Sequence, residues 1–560
     1  MNRTAMALLL LMLPLLVAAD SSYTFSRIAH PTPEATEAVM LPRAVEDYDS
    51  TIRRLEAAGF MDGERTPPAD PQLNDTWLWY IWDLGGMPVA NELPCTVRGL
   101  GNNIYVVVED SQWNVNIDQV AVDKIVNHFD NISVGDYPDQ GIWDLNTGHF
   151  GDPPNFDGLD RIFFVYYEFN IAADGYFWVY DQYPDGSQYW ASNEADVIYL
   201  ATDSGDCASD YLMAVGAHEF QHLIHWNQDE NEELWLDEGM AELAMWLFGH
   251  PDYISSFNTQ PDNNLLDFAG NWADYIQVYL WTLYIYEQFG GHDVIWDTVH
   301  HSYNGMYSFQ TVIAALGYPD IMEDVFSQWS AANYLDEPAI YSGQYGYLGD
   351  ELPAFSAWRF VSNFPASGNG SLQDWGSEYM RIVDGTSSSA PRVTIDGADI
   401  HDFRVRFMAV DPALPTLVAE MELDAGEYGE FTFMEAAEYN EVVVSVASTT
   451  ASGVGSYSYT VELVPTDGPE IPMVGNRLAA YPNPFNPSTE LSVKLDISGD
   501  VGIEIFDLEG RRVDVVHAGF MGAGEHLIDW SPAGLSSGIY MARLSRDGEA
   551  LDSQKLILMK

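Results

Sequence analysis

Apolar positions recur along the chain with a period that changes twice. From Thr96 the pattern is that of strands: Asn103–Glu109 and Arg161–Phe169 are β-rich runs, with a helical segment near Ile117–Phe129 between them. Ala195–Leu200 reads as a further strand, expected at a sheet edge over a cleft. The period then becomes helical, with a helix predicted over Asp210–Asn227, a second over Leu234–Phe248 with Gly249 as its stop, and others to about Tyr334. An aromatic-rich helix, Tyr275–Phe289, ends at Gly290 and Gly291. From about Trp375 to Val464 short alternating runs return, among them Arg404–Ala409, Gly429–Phe433 and Glu441–Ala447, and these predict a β-sandwich. Pro465–Gly475 reads as a linker, and the remaining residues through Lys560 as a second small β unit. A mixed sheet followed by helices, then by two all-β sandwich domains, is an α+β architecture.

A chain of 560 residues exceeds one hydrophobic core, so several domains are expected. Arg3, the apolar run Ala5–Ala19 and the small residues Val17-Ala18-Ala19 read as a secretory signal over residues 1–19, cleaved after Ala19. That run is short for a transmembrane span, and no later segment reaches about 18 apolar residues. Residues 20–94 are polar and interrupted by proline at first, with one helical stretch near Val45–Ala58; a propeptide and an N-terminal arm fit them equally. A net charge of −63 makes nucleic acid and anionic membranes poor partners, and suits solubility in a salty medium.

The chemistry concentrates in residues 218–242. His218 and His222 stand at i and i+4, so on a helix both imidazoles project from one face and can hold one metal ion at about 2.0–2.1 Å. Glu219 lies beside that face, where it can take a proton from a metal-bound water. On the second helix Glu238 and Glu242 share a face one turn apart. Two histidines need a third protein ligand and an open position, which makes Glu238 the third arm; Glu242, behind it, would accept the outer N–H of a liganding histidine, His218. His225, His250, His300 and His301 are single histidines, a type more often structural than catalytic. In the Asp152–Asp160 loop, Asp157 and Asp160 are candidates for calcium, although no calcium-loop spacing is met. Cys95 and Cys207, the only two cysteines, could close one disulfide or stay as two buried thiols.

At H-E-F-Q-H (His218–His222) and W-L-D-E-G (Trp235–Gly239) the chain resembles the gluzincin zinc metallopeptidases, closest to the hyicolysin-like secreted bacterial peptidases. The likeness extends through Asn193–Tyr199 and Tyr275–Gly291, over roughly residues 95–335; Asp237 stands where asparagine is usual. It implies a metallopeptidase domain over 95–337, with a linker and β-sandwich over 338–464. It also implies a zinc-dependent endopeptidase acting on proteins or peptides, with Zn²⁺ on His218, His222 and Glu238 and Glu219 as general base. Tyr275 matches a tyrosine of the gluzincin aminopeptidases as donor to the oxyanion, the alternative for it being an aromatic packing stripe. A metallo-aminopeptidase and a non-catalytic surface adhesin with a vestigial metal site remain as rival readings. The last unit, 476–560, opens with Y-P-N-P-F-N-P (Tyr481–Pro487) and carries Gly510-Arg511-Arg512-Val513. It resembles the immunoglobulin-like C-terminal domains of type IX secretion, which implies the outer-membrane secretion machinery as a partner and a secreted or cell-surface location.

Overall fold

The computed structural model describes residues 24–28 and, from residue 71, all but short stretches, the longer being 84–88, 185–191, 255–259, 353–358, 384–388 and 466–476. The expected signal peptide, the helical stretch near Val45–Ala58 and most of the linker lie outside the described residues. The architecture is α+β, in two compact units, 1–464 and 465–560, whose division falls at Pro465 where a linker was expected.

The first unit is built on one seven-stranded sheet. Its strands are β1 (Thr24–Ile28), β2 (Thr76–Asp83), β3 (Val89–Leu100), β4 (Ile104–Glu109), β5 (Ile162–Tyr167), β6 (Ala173–Trp178) and β7 (Val197–Ala201), in the spatial order β1-β6-β7-β5-β4-β3-β2. β4, β5 and β7 run parallel and are buried on both faces, which is why their sequences are unbroken apolar runs. One expectation is corrected here. Residues 195–200 do not form an edge: β7 is interior, because β6 and then β1 pair outside it. The described part of residues 20–94 supplies β1, β2 and half of β3, and β2 pairs with β3 from Thr76 opposite Thr96 to Asp83 opposite Val89.

Helices α1 (Gln119–Asp130) and α2 (Ile142–Phe150) pack with α3 (Asp210–Gln228) and α4 (Leu234–Phe248). The unit continues with α5 (Trp272–Gln288), α6 (His292–Val299), α7 (Gly305–Ala315) and α8 (Met322–Leu335). α3 starts where the Ser209 side chain accepts the Leu212 N–H, and every residue from Leu212 to His225 is buried. α4 ends at Gly249, whose φ of 101° is left-handed and suits glycine. Asn271 and Asp274 cap α5 reciprocally.

Among the described residues between 359 and 465, nine strands form two sheets, of five and four strands, around a shared core that includes Val393, Phe407, Val444 and Val461. This sandwich is docked on α8 and is no independent body. Ser330 Oγ lies 2.6 Å from Ser445 Oγ, Arg406 Nε donates to Ser327 Oγ at 2.9 Å, and the Tyr379 hydroxyl donates to the Ser330 carbonyl at 2.6 Å. Ala331, Tyr345, Tyr379, Met408 and Val443 close an apolar core across the same contact.

The second unit has a three-stranded and a four-stranded sheet around Leu491, Val493, Ile503, Ile505 and Leu544. Alternate burial along Thr489–Leu495 is the period-two pattern of a half-buried strand.

Cys95 and Cys207 are both buried, in different surroundings. The Cys95 thiol, on β3, faces the Leu93 carbonyl at 3.6 Å, whereas Cys207, in the turn before α3, faces the Asn116 carbonyl at 3.6 Å. Burial, reinforced by Asp206, pushes the Cys207 thiol up to about 12, so it stays protonated and inert.

Candidate metal centre

α3 and α4 pack side by side and bring their polar residues together inside an otherwise apolar core. Gly239 makes the approach of α4 to α5 possible, since a Cβ there would run into the Thr282 hydroxyl. His218, Glu219, His222, Glu238 and Glu242 are each 1% exposed or less. Burying so many ionisable groups is expensive unless they are paired or hold an ion.

The two imidazoles point their Nε2 atoms at each other, 3.1 Å apart, and Glu238 Oε2 stands 3.4 Å from His218 Nε2 and 3.9 Å from His222 Nε2. Among the described residues, these three form the group of histidine, cysteine or acidic side chains whose ligand atoms converge within 4.8 Å. Ligands on a tetrahedral ion at about 2.0–2.1 Å are spaced about 3.3–3.4 Å apart, so the triangle is the right size. The outer nitrogens are committed elsewhere: His218 Nδ1 lies 3.2 Å from Glu242 Oε1 and His222 Nδ1 lies 2.9 Å from Asp237 Oδ2. With both Nδ1 atoms turned outward to carboxylates, the two Nε2 atoms face inward beside Glu238, neither of whose oxygens accepts a hydrogen bond, and an ion there would take the place of the proton that His222 holds in the metal-free protein. Three electron-rich atoms facing one point fit a divalent cation.

Asp237 does more than the sequence indicated. Its Oδ1 is also 2.8 Å from His225 Nδ1, so one carboxylate bridges two histidines of α3. Burial opposes a charge on His222, but Asp237, with Glu238 and Glu219, outweighs it and raises the imidazole to about 10; His225 is raised through the same carboxylate. Asp237, although buried, is held well below the usual carboxylate range by His222 and His225. The signal for this pair was Asp237 directly before Glu238, together with a histidine three residues after His222.

Glu219 lies on α3 between the two histidines, beneath β6: a Cβ on Gly175 would come within 3.0 Å of its Cγ. The Tyr275 ring, at the start of α5, is 6.5 Å from that of His218, wedged by Phe268 at 5.0 Å and Trp272 at 6.2 Å. A narrow cleft lined by Phe177, His222, Trp226, Asp229 and Asp237 opens beside the histidine pair. The other single histidines stay out of the triad: His250 packs on Tyr211, His300 on Trp296 and His301 on Tyr303. Asp157 turns to Asp196 instead of to Asp160, its oxygens accepting the N–H groups of Leu159 and Asp196.

The comparisons with known proteins bear on the other end of the chain. Residues 479–559 match the family of secretion system C-terminal sorting domains. That match makes the protein a secreted or cell-surface one and its last unit the part addressed to the type IX machinery. Among the described residues no helix is long and apolar enough to cross a membrane. None of the curated proteins matches the sequence. Among solved structures, a glycosyl hydrolase family 2 member from Bacteroides cellulosilyticus is similar at 12% identity over 34% of this chain and 26% of that one, with a TM-score of 0.13. Latent PorU from Porphyromonas gingivalis is similar at 11% identity over 36% of this chain and 32% of its own, TM-score 0.13. The adhesin domain of Epf from Streptococcus pyogenes is similar at 10% identity over 34% of this chain and 76% of its own, TM-score 0.12. None of these likenesses reaches the fold of the whole chain.

Proposed function

We propose that the protein is an exported zinc-dependent endopeptidase of the gluzincin type. The observation that carries this reading is the convergence of His218 Nε2, His222 Nε2 and Glu238 Oε2, with both outer histidine nitrogens already facing carboxylates. Zinc held there would supply a Lewis acid that polarises a carbonyl and acidifies water. His218, His222 and Glu238 would hold the ion, while Glu242 and Asp237 would fix the tautomer and orientation of the two imidazoles. Glu219 takes the proton of the attacking water and returns it to the leaving amine as the peptide C–N bond breaks. Tyr275 is the candidate donor to the developing oxyanion.

The test is elemental analysis of the purified chain together with hydrolysis of casein and of N-acetylated peptides. About one zinc per chain is expected, lost in His222→Ala. Chelator-sensitive cleavage of the N-blocked peptides is expected of an endopeptidase, whereas an aminopeptidase would spare them. Full zinc occupancy in His222→Ala would refute the ligand assignment.

A further inference from the structure

The sheet edge above the candidate metal centre is filled by the chain's own N-terminal segment. β6 lies across α3, with Gly175 against Val215 and Glu219 and with Phe177 lining the cleft beside His222. β7 covers one side of β6. The other side pairs with β1, antiparallel, with Phe25 opposite Phe177, Ser26 opposite Tyr176 and Arg27 opposite Gly175, before a bulge between Arg27 and Ile28. The residues of β6 nearest Glu219 and His222 are therefore the ones that β1 occupies. An open strand edge at this place is a template for an extended peptide, which would bind through its main chain. In the same structure Glu219 and the three ligand residues are shut away from solvent, each 1% exposed or less.

We propose that residues 24–28 are an internal occupant of a peptide-binding edge on β6, and that displacing them opens that edge to an extended peptide and relieves an inhibited state. The peptide as ligand rests on the peptidase reading above; the occupancy of the edge does not. A five-residue strand holds weakly by itself, but a tether keeps it at an effective concentration of about millimolar, enough to exclude dilute competitors. Cutting the tether removes that advantage.

The experiment uses the full chain with a specific protease site inserted after Ile28, cut after folding, in the Glu219→Gln background so that a bound peptide is not consumed. The probe is a labelled peptide of residues 22–30. A second form, Phe25→Pro with Ser26→Pro, needs no cut: alternate residues donate in an antiparallel ladder, so one of the two prolines removes an N–H that faces β6. Both opened forms should bind the probe about tenfold or more tighter than the intact chain. Amide exchange at residues 174–178 should rise on opening and fall again with probe bound, and an N-acetylated, C-amidated casein peptide should compete for the edge. Equal binding by intact and opened forms, unchanged exchange, or failure of the casein peptide to compete would overturn the proposal. With Glu219 restored, casein hydrolysis should rise on opening; equal hydrolysis before and after would overturn the inhibition. A zinc-loaded opened chain that binds the probe and cleaves nothing would instead remove the peptidase reading and leave the occupied edge standing.

Discussion

The carboxylate of Asp237 stands 2.9 Å from Nδ1 of His222, and its second oxygen is 2.8 Å from Nδ1 of His225. A liganding imidazole that has lost its outer partner can rotate and exchange tautomers, so Asp237→Ala should weaken zinc binding by about 10–100-fold. Chelator competition measures this directly. Wild-type affinity in the variant would show that helix packing alone orients His222.

The same contact sets a pH dependence. In the metal-free protein His222 is raised from 6.5 to about 10, so its contribution to stability is fully present below pH 6.5 and is lost as pH rises through about 10. Asp237, held low by the same pair, loses its share only on strong acidification. Thermal unfolding of chelator-treated protein should therefore show Tm falling between pH 6.5 and 10, and Asp237→Ala should flatten the fall. Zinc must displace the His222 proton, so calorimetry at pH 7.5 in buffers of different ionisation enthalpy should report about one proton released per zinc from this site. A Tm that is level over this range in the wild type would contradict the ion pair.

Glu219→Gln should keep the metal and lose at least about a hundredfold in kcat, because the amide fills the space beneath Gly175 but accepts no proton. The comparison is made at matched zinc content. Near-normal turnover would mean that another group activates the water.

Much of this centre was legible in the sequence because helical periodicity fixes which side chains share a face. His218 with His222, and Glu238 with Glu242, follow from i, i+4 spacing on α3 and α4. What spacing could not give is contact between elements distant in the chain. The place of β6 beside β7, and of β1 beside β6, depends on long-range pairing, and β6 reads Ala-Asp-Gly-Tyr-Phe-Trp, without the β-branched alternation that marks a strand. The sandwich strands were legible by their period of two, but their docking on α8 depends on Arg406 and Ser445, which in sequence look like solvent-facing residues of a strand.

Asp196 gives a prediction away from the metal. Burial, with Asp157 close by, raises its carboxyl from 3.8 to about 7. Its contribution to stability is thus fully present below about pH 4 and is lost as pH rises through 7. Asp196→Asn keeps an acceptor for the Phe156 N–H and removes the repulsion, so it should stabilise the fold on the order of 1–3 kcal/mol at pH 8 and have little effect at pH 4. Denaturant unfolding at the two pH values checks this. Calcium on Asp157 and Asp196 would invert the result: added calcium would then raise the wild-type Tm, and the asparagine variant would be the less stable protein.

Two truncations separate the roles of the β domains. A chain ending at Pro465 should fold and keep its metal and its activity, because the two compact units divide there. In the native host it should stop in the periplasm, since residues 479–559 carry the sorting domain; normal extracellular release would refute that role. A chain ending at Glu337 should fail. It would uncover Ser327, Ser330 and Ala331 on α8, and it would release the loop that leads into α5. That loop is held by the sandwich: the Leu265 N–H donates to the Trp375 carbonyl at 3.1 Å, the Ser377 N–H to the Pro261 carbonyl at 2.9 Å, and the Gln373 N–H to Asp262 at 2.7 Å. From the loop, Asn263 reaches Asp274 at 2.7 Å in the cap of α5, and Phe268 packs on Tyr275. Loss of the sandwich should therefore give an aggregating or protease-sensitive protein whose remaining soluble fraction has lost activity, measured by limited proteolysis and casein hydrolysis. A soluble, fully active product ending at Glu337 would show that neither α8 nor the Tyr275 loop depends on the sandwich.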